Sequence, residues 1–307
     1  MKRNLLLSAF VILSSIATAQ TADTTKAWKK GGAIAINFNQ TTLTNWAAGG
    51  QNSIAMNGLL NMFANYKKNK TTWDNSAELG YGFLRSGIHG PLYKSDDKID
   101  LTSKWGHEAF YKVYYSALVN FKSQFSDGYN YPNDSVVISD FLAPGYLLGS
   151  IGLDYKPNDD LSLYVSPVTG KFTFVNRPDL ADAGAFGVEP AELDTAGNII
   201  KHGDRVRKEL GAYITFKYKK KLWENISFNT KLDLFSNYFH DFGNIDVNWD
   251  VMLNMKVNKF LSVNVNTTLI YDDDIDVPIY DDNEVVIGKG PRTQFREVLA
   301  VGLNFKF

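Results

Sequence analysis

Apolar and polar residues alternate one for one over stretches of ten or more positions, and nothing else in the chain restricts its fold so strongly. From Ile245 to Val257 one face carries Ile245, Val247, Trp249, Val251, Leu253, Met255 and Val257, without a polar exception. The other carries Asp246, Asn248, Asp250, Asn254 and Lys256, with Met252 its one apolar member. Tyr111–Phe125 and Leu261–Tyr271 repeat the pattern, whereas helical i, i+3, i+4 stripes are nearly absent. Strands in globular proteins usually run about 5–6 residues. Strands that cross a bilayer at a tilt need about 9–11. The alternation has the longer length.

Twelve such segments can be counted, near residues 32–39, 52–67, 72–85, 98–106, 111–126, 141–155, 161–175, 206–219, 225–239, 245–258, 261–272 and 292–307. Pro144, Gly149, Pro167 and Gly170 interrupt the sixth and seventh, as bulges or kinks would. Every second connection is short and polar: 67–71, 106–110, 156–160, 219–224 and 258–260. The others, except 240–244, are long and rich in Asp, Gly, Asn and Pro. Sorting loop length by parity is the habit of outer-membrane barrels, which have tight periplasmic turns and long external loops. Aromatic residues fall at both strand ends: Phe38, Phe83, Phe125, Phe174, Tyr238 and Tyr271 on the long-loop side, and Tyr66, Trp73, Trp105, Tyr111, Tyr155, Tyr218, Trp223 and Phe307 on the turn side. Amphipathic rings belong at the two headgroup levels. The fold expected is an all-β transmembrane antiparallel barrel of about 12 strands, ten or fourteen being the neighbouring counts.

The start of the chain reads as an export signal rather than structure. Lys2 and Arg3 precede the apolar run Leu5–Ile16, and Ala17-Thr18-Ala19 fits a small-x-small cleavage site. Residues 1–19 are expected to be removed, 20–31 to form a periplasmic segment, and 32–307 to form the barrel. Beyond the signal there is no apolar run of about 18 residues, so no transmembrane helix is expected. With Cys 0, disulfides, thiolate metal sites, cysteine nucleophiles and a lipidated cysteine are all excluded. Lys+Arg 32 against Asp+Glu 33 leaves no basic excess for nucleic acid. The closing strand alternates Leu299, Val301, Leu303, Phe305 and Phe307 with Ala300, Gly302, Asn304 and Lys306. A terminal strand ending in Phe307 resembles the signal that outer-membrane assembly machinery reads. Outer-membrane lipids and that machinery are therefore the expected partners.

Several short motifs resemble an uncharacterised family of exported Bacteroidota proteins, a domain of unknown function. They include Asn45-Trp46-Ala47-Ala48-Gly49-Gly50-Gln51-Asn52, Trp73-Asp74-Asn75 before Gly80-Tyr81-Gly82, and Asp96-Asp97-Lys98-Ile99-Asp100. Phe121-Lys122-Ser123-Gln124-Phe125, Ser166-Pro167-Val168-Thr169-Gly170-Lys171 and Gly290-Pro291-Arg292-Thr293-Gln294-Phe295 extend the likeness over nearly all of the mature chain. The resemblance implies the outer membrane and brings no activity, so no functional residue is carried over.

The inward faces supply the candidate chemistry. Asp74, Glu78, Asp100, Lys104, Lys112, Lys122, Lys231, Asp233, Asp246, Asp250, Lys256 and Arg296 are expected in the lumen. Opposed charges there suit a polar path for small solutes. They equally suit a structural network that satisfies buried charge and plugs the barrel. Both readings stay open. In the first external loop, Trp46, Gly49, Gly50 and Asn52 could stack on a sugar or partner, or pack over the barrel mouth; packing is the favoured reading. The acidic clusters Asp272-Asp273-Asp274 with Asp276, and Asp281-Asp282 with Glu284, lack EF-hand spacing and read as solvated loops, so no metal or cofactor is expected. Only His89, His107, His202 and His240 exist, and no nucleophile elbow or His-Glu-x-x-His occurs. Ser236, His240 and Asp241 at the external rim are the one distant hydrolase candidate, and the chain is not expected to be an enzyme.

Overall fold

The structure, a computed structural model, describes residues 27–43, 51–87, 90–240, 242–281 and 286–307. The expected signal peptide and residues 20–26 lie outside these, as do Trp46, Gly49, Gly50, His89, Asp241, Asp282 and Glu284. The alternating segments form twelve long strands: β1 (Trp28–Thr41), β2 (Ser53–Lys68), β3 (Thr71–Ser86), β4 (Leu92–Phe110), β5 (Val113–Ser123) and β6 (Gly145–Asn158), then β7 (Leu161–Phe174), β8 (Val206–Trp223), β9 (Ile226–Asn237), β10 (Asp246–Lys256), β11 (Leu261–Tyr271) and β12 (Gln294–Lys306). Each pairs antiparallel with its sequence neighbours, and β12 returns to β1, so the sheet closes as an up-and-down barrel.

Burial gives the facing, and it is inverted relative to a water-soluble β-protein. On β5, Tyr114, Ser116, Leu118 and Asn120 are buried while Tyr115 and Val119 are exposed. Elsewhere Asp100, Lys104, Asp154 and Thr169 are buried, while Ile151 and Leu299 are 68% and 67% exposed. A soluble sandwich would hide the second set and expose the first. An exterior of contiguous apolar residues around a polar interior needs a nonpolar surrounding medium. Closure follows from the same medium, because hydrocarbon offers no partner to a free peptide group.

Aromatic residues ring the turn end. Trp28 packs 5.3 Å from Tyr66 and 5.8 Å from Trp73 between ring centroids, and Trp73 stands opposite Trp105 in the β3–β4 register. These contacts explain why β1 starts at Trp28, inside the segment expected to precede the barrel. On the lipid face the indole of Trp73 donates to Ser103 Oγ at 2.8 Å, and Ser103 donates to Asn75 Oδ1. Two outward polar side chains are thereby satisfied without water.

One local expectation is corrected, and another, the bulge on the seventh strand, is borne out. The turn expected at 106–110 lies instead at Tyr111–Lys112, with Lys112 in the left-handed region at φ 59°. Gly106 is a strand residue at a close approach: a Cβ there would lie 2.9 Å from Ser116 Oγ and 3.1 Å from Thr72 Oγ1. At the second site β7 carries a bulge, because Ile151 opposes Val168 while Leu153 opposes Val165. Pro167, which cannot donate to a ladder, sits in it, and its carbonyl accepts the Tyr238 hydroxyl at 2.7 Å. Gly152 faces the bulge, where a Cβ would come within 2.1 Å of the Val165 carbonyl oxygen. The external loops carry structure of their own: the ribbons Gly128–Tyr129/Val137–Ser139, Glu192–Leu193/Ile199–Lys201 and Asp276–Tyr280/Val286–Pro291, and a short helix at Pro178–Asp182. Ala143, Val175, Ala181 and Val188 pack together beneath that helix.

Adjacent residues on β10 test the facing. Leu253→Arg, pointing outward, should destabilise the barrel by about 2–4 kcal/mol, and Met252→Arg, pointing inward, by roughly 1 kcal/mol or less. Reversible denaturant unfolding in phospholipid vesicles measures both.

Candidate functional site

The lumen is the candidate site, and its charges pair across strands in tiers. At mid-height Lys231 lies 3.6 Å from Asp100 and 3.2 Å from Asp233, and Lys122 reaches Asp233 at 3.6 Å. Asn120 donates to Asp100 at 2.6 Å and the Tyr213 hydroxyl to Asp233 at 2.8 Å. Towards the short turns Lys104 meets Asp154 at 2.5 Å, the Ser162 hydroxyl donates to Asp154 at 2.7 Å, and Lys156 bridges Asp154 and Asp74. Towards the external loops Lys171 lies 2.7 Å from Asp246, 3.5 Å from Glu209 and 3.6 Å from Asp272, while Arg207 binds Glu209 and Asp274. Lys98–Glu78 and Arg296–Asp96, each at 2.8 Å, complete the set, and Asp250 accepts from the Thr268 hydroxyl at 2.7 Å.

Two of the expected lumen residues lie at the barrel's turn end. Lys112, in its turn, covers the Tyr111 ring and borders the cavity described below. Lys256 is exposed at the end of β10 and does not line that cavity. In the first external loop Asn52 closes the backbone: its Oδ1 accepts the Leu43 N–H at 2.5 Å and its carbonyl accepts the Gly87 N–H at 2.6 Å. Ser236 stands opposite Ala212 on the outward face and accepts a long bond of 3.4 Å from the Gly243 N–H.

Asp96, Lys98, Asp154, Lys156, Lys171, Arg207, Glu209 and Lys217 were missed by the sequence reading. The signal for Lys98 was its parity, two residues before Asp100. Asp154, Lys156 and Lys171 fall on the two least regular strands, and the bulge on β7 shifts the phase ahead of Lys171. Asp246, Asp272 and Asp274 converge within 4.8 Å in a cation-like geometry. The Lys171 ammonium and Arg207 guanidinium already supply countercharge there, so the cluster is an ion-pair network. Outside the membrane span, the Asp182 carboxyl is held below the usual carboxylate range, first by the Gly203 N–H and then by the His202 ring. That contact ties the two ends of the longest external loop together.

The lumen is unevenly filled. Leu118, Tyr164, Tyr213 and Phe235 project inward from β5, β7, β8 and β9 and pack as a small apolar core, with Leu148 of β6 against it. The opposite side keeps a cavity of about 700 Å³. It runs from Lys29, Asn65, Lys156 and Lys219 at the turn end to Asn57, Asp96 and Arg296 in the external half. Its lining holds ten cations, Lys29, Lys67, Lys98, Lys104, Lys112, Lys156, Lys217, Lys219, Lys231 and Arg296, against six acids, Asp74, Glu78, Asp96, Asp159, Asp160 and Asp250. Lys217 and Lys231 are directly opposed in the β8–β9 register, a like-charge juxtaposition that costs stability. Lys231 is compensated by Asp100 and Asp233, but no carboxylate lies within ion-pair distance of Lys217 among the described residues.

Comparison with known proteins adds a likeness of fold. An outer membrane channel from Pseudomonas putida F1 superposes with a TM-score of 0.40 at 12% identity, over 94% of this chain and 100% of the other. The NanC porin gives 0.37 at 8%, over 90% and 100%. The translocator domain of the autotransporter NalP from Neisseria meningitidis gives 0.32 at 11%, over 98% and 94%. No curated protein sequence matches the chain. Residues 38–129 match a family described as protein of unknown function, DUF3078.

The most buried pair gives a direct energetic test. Lys104→Met leaves Asp154, fully buried, with Lys156 at 3.3 Å as its one remaining cation and the Ser162 hydroxyl as its hydrogen-bond donor. It should cost about 3 kcal/mol, the low end for a broken buried pair. Lys104→Met with Asp154→Leu should recover most of that loss, read by the same vesicle unfolding measurement.

Proposed function

We propose that this barrel lies in an outer membrane, reached through a cleaved N-terminal signal, and lets small polar solutes through its lumen, anions in preference to cations. The observation that carries the reading is the cationic excess of the cavity lining, with the Lys217 ammonium, which has no direct ion pair among the described residues, facing Lys231. A fixed charge left unpaired in a narrow polar lumen draws mobile counter-ions, which is how rings of Lys and Arg favour anions in pores. The apolar core on the β5–β9 side narrows the path without obstructing the β1–β4 side. Size and rate therefore depend on the cavity rather than on the full bore of twelve strands. Recognition of the strand ending in Phe307 by outer-membrane assembly machinery, and kinship with exported Bacteroidota proteins of unknown function, belong to the same proposal. No catalytic role is assigned.

Planar-bilayer recording with the full mature chain tests it. A steady conductance is expected, with a reversal potential in a potassium chloride gradient displaced towards chloride. Lys217→Glu, which gives Lys231 a third carboxylate partner, should move that potential towards potassium. Silence over many insertions would mean an occluded structural barrel and would overturn the proposal, as would a cation preference in the unaltered protein.

A further inference from the structure

The barrel wall is not sealed equally along its height. Neighbouring strands elsewhere share ladders of ten or more residue pairs, as in β10–β11 and β11–β12. The closing seam is much shorter. Gly32 and Phe307 exchange both backbone hydrogen bonds at the turn end, and pairing continues from Ala33↔Lys306 to Asn37↔Gly302, where it stops. Both strands continue past that point. Phe38–Thr41 of β1 remain paired on β2, and Gln294–Val301 of β12 remain paired on β11. Four further pairs, 38↔301 to 41↔298, are in register to form and are not formed. They would occupy about 13 Å of strand at the usual rise per residue.

The surroundings of this gap are those of a passage rather than of a frayed end. Outward-facing Phe38, Leu299 and Val301 are 54%, 67% and 52% exposed beside it, so it opens on the apolar exterior. On the inner side Arg296 and Val298, both on the free stretch of β12, line the lumen cavity. Unpaired backbone at membrane depth is tolerated only where it lines a cavity or is buried in protein, and here the cavity meets it. Inside, a side-chain chain replaces the missing ladder: Asn37 donates to Asn57 at 3.4 Å, Asn57 to Asp96 at 2.7 Å, and Arg296 pairs with Asp96 at 2.8 Å. The chain runs from β1 through β2 and β4 to β12, so side chains across the lumen, rather than a backbone ladder, join the two seam strands at this level. Glu297 faces outward from the same stretch and is exposed, and its charge needs water or headgroups at this level.

We propose that the external half of the β1–β12 seam is a lateral portal, through which the acyl chains of membrane-dissolved amphiphiles enter the lumen cavity from the bilayer. The head stays among the polar lining groups while the chain passes between the strand edges. This goes beyond solute passage along the barrel axis and is independent of it.

The full mature chain, reconstituted in dioleoylphosphatidylglycerol vesicles, supplies the test. The photocrosslinker p-benzoylphenylalanine is placed at Val298 (cavity-facing, beside the gap), at Leu299 (bilayer-facing) or at Asn266 (cavity-facing, on the doubly paired β11). Lipid adducts counted by mass spectrometry should be comparable at Val298 and Leu299, and about tenfold fewer at Asn266, because a closed ladder keeps acyl chains from the lumen. Adduct at Val298 no higher than at Asn266 would overturn the portal. A cysteine pair guards against a misfolded crosslinker variant, and the chain has no cysteine of its own. Ala35→Cys with Asn304→Cys lies within the ladder and should oxidise fully. Asn39→Cys with Ala300→Cys, the corresponding pair across the gap, should stay largely reduced. Complete oxidation of the second pair at the rate of the first would show a closed seam and refute the proposal. Steady conductance with a closed seam would leave axial passage standing; lipid adducts in a silent barrel would leave the portal standing.

Discussion

Every peptide group at membrane depth must find its hydrogen-bond partner within the protein, and the rest of this structure follows from that requirement. Strands long enough to cross at a tilt, a ladder on both edges of each, and return of the last strand to the first are its geometric consequences. The side chains then sort themselves by the pleat, one residue to the bilayer and the next to the lumen. That is why buried residues here include Asp100, Lys104, Asp154 and Glu209, and why exposed ones include Ile151, Leu299 and Phe305. The one stretch where the ladder lapses, between β1 and the upper part of β12, lies against the cavity.

The interior resolves a conflict between charge and enclosure. Carboxylates and ammoniums taken out of bulk water are costly unless paired and hydrogen-bonded, and the tiers of Lys–Asp contacts supply both. Asp154 shows the economy of the arrangement, with two lysines and the Ser162 hydroxyl converging on one carboxylate. The apolar core of Leu118, Tyr164, Tyr213 and Phe235 then removes space on one side without adding charge to satisfy. What remains is a polar cavity with more cations than acids. The lysine opposite Lys231 is the point where pairing was left incomplete.

The wall of the barrel was legible in the sequence because its signal is local: a period of two, repeated over ten or more residues, fixes which side chain faces lipid. Loop lengths sorted by parity gave the direction of the strands, and twelve segments were found where twelve strands stand. The misjudged places are those where a glycine or proline does something nonlocal. Gly106 reads as a turn in sequence, yet it makes room for Ser116 and Thr72 from neighbouring strands. Pro167 was rightly read as a bulge or kink, but the change it makes in which residues beyond it face inward was not foreseen. Trp28 was assigned to a leading segment because its partners, Tyr66 and Trp73, lie some forty residues away.

The site was legible only in part, for the same reason. Parity placed most charges on the inner face, but their partners are set by the barrel's stagger, as in Lys122 with Asp233 or Lys171 with Asp246. Inward apolar residues such as Tyr164 and Phe235 look like interruptions of a polar face until the barrel brings them together. The shortened seam was not read from the sequence, where Val298, Leu299, Ala300 and Val301 form an unbroken apolar run. All these readings depend on one orientation, in which odd-numbered residues of β10 meet acyl chains and even-numbered ones meet the lumen. A nitroxide scan of single cysteines from Val247 to Met255, in vesicles, reads it directly through collisions with bilayer-dissolved oxygen. The account expects high accessibility at Val247, Trp249, Val251, Leu253 and Met255 and low accessibility at the residues between them. A flat profile, or one with the opposite phase, would contradict it.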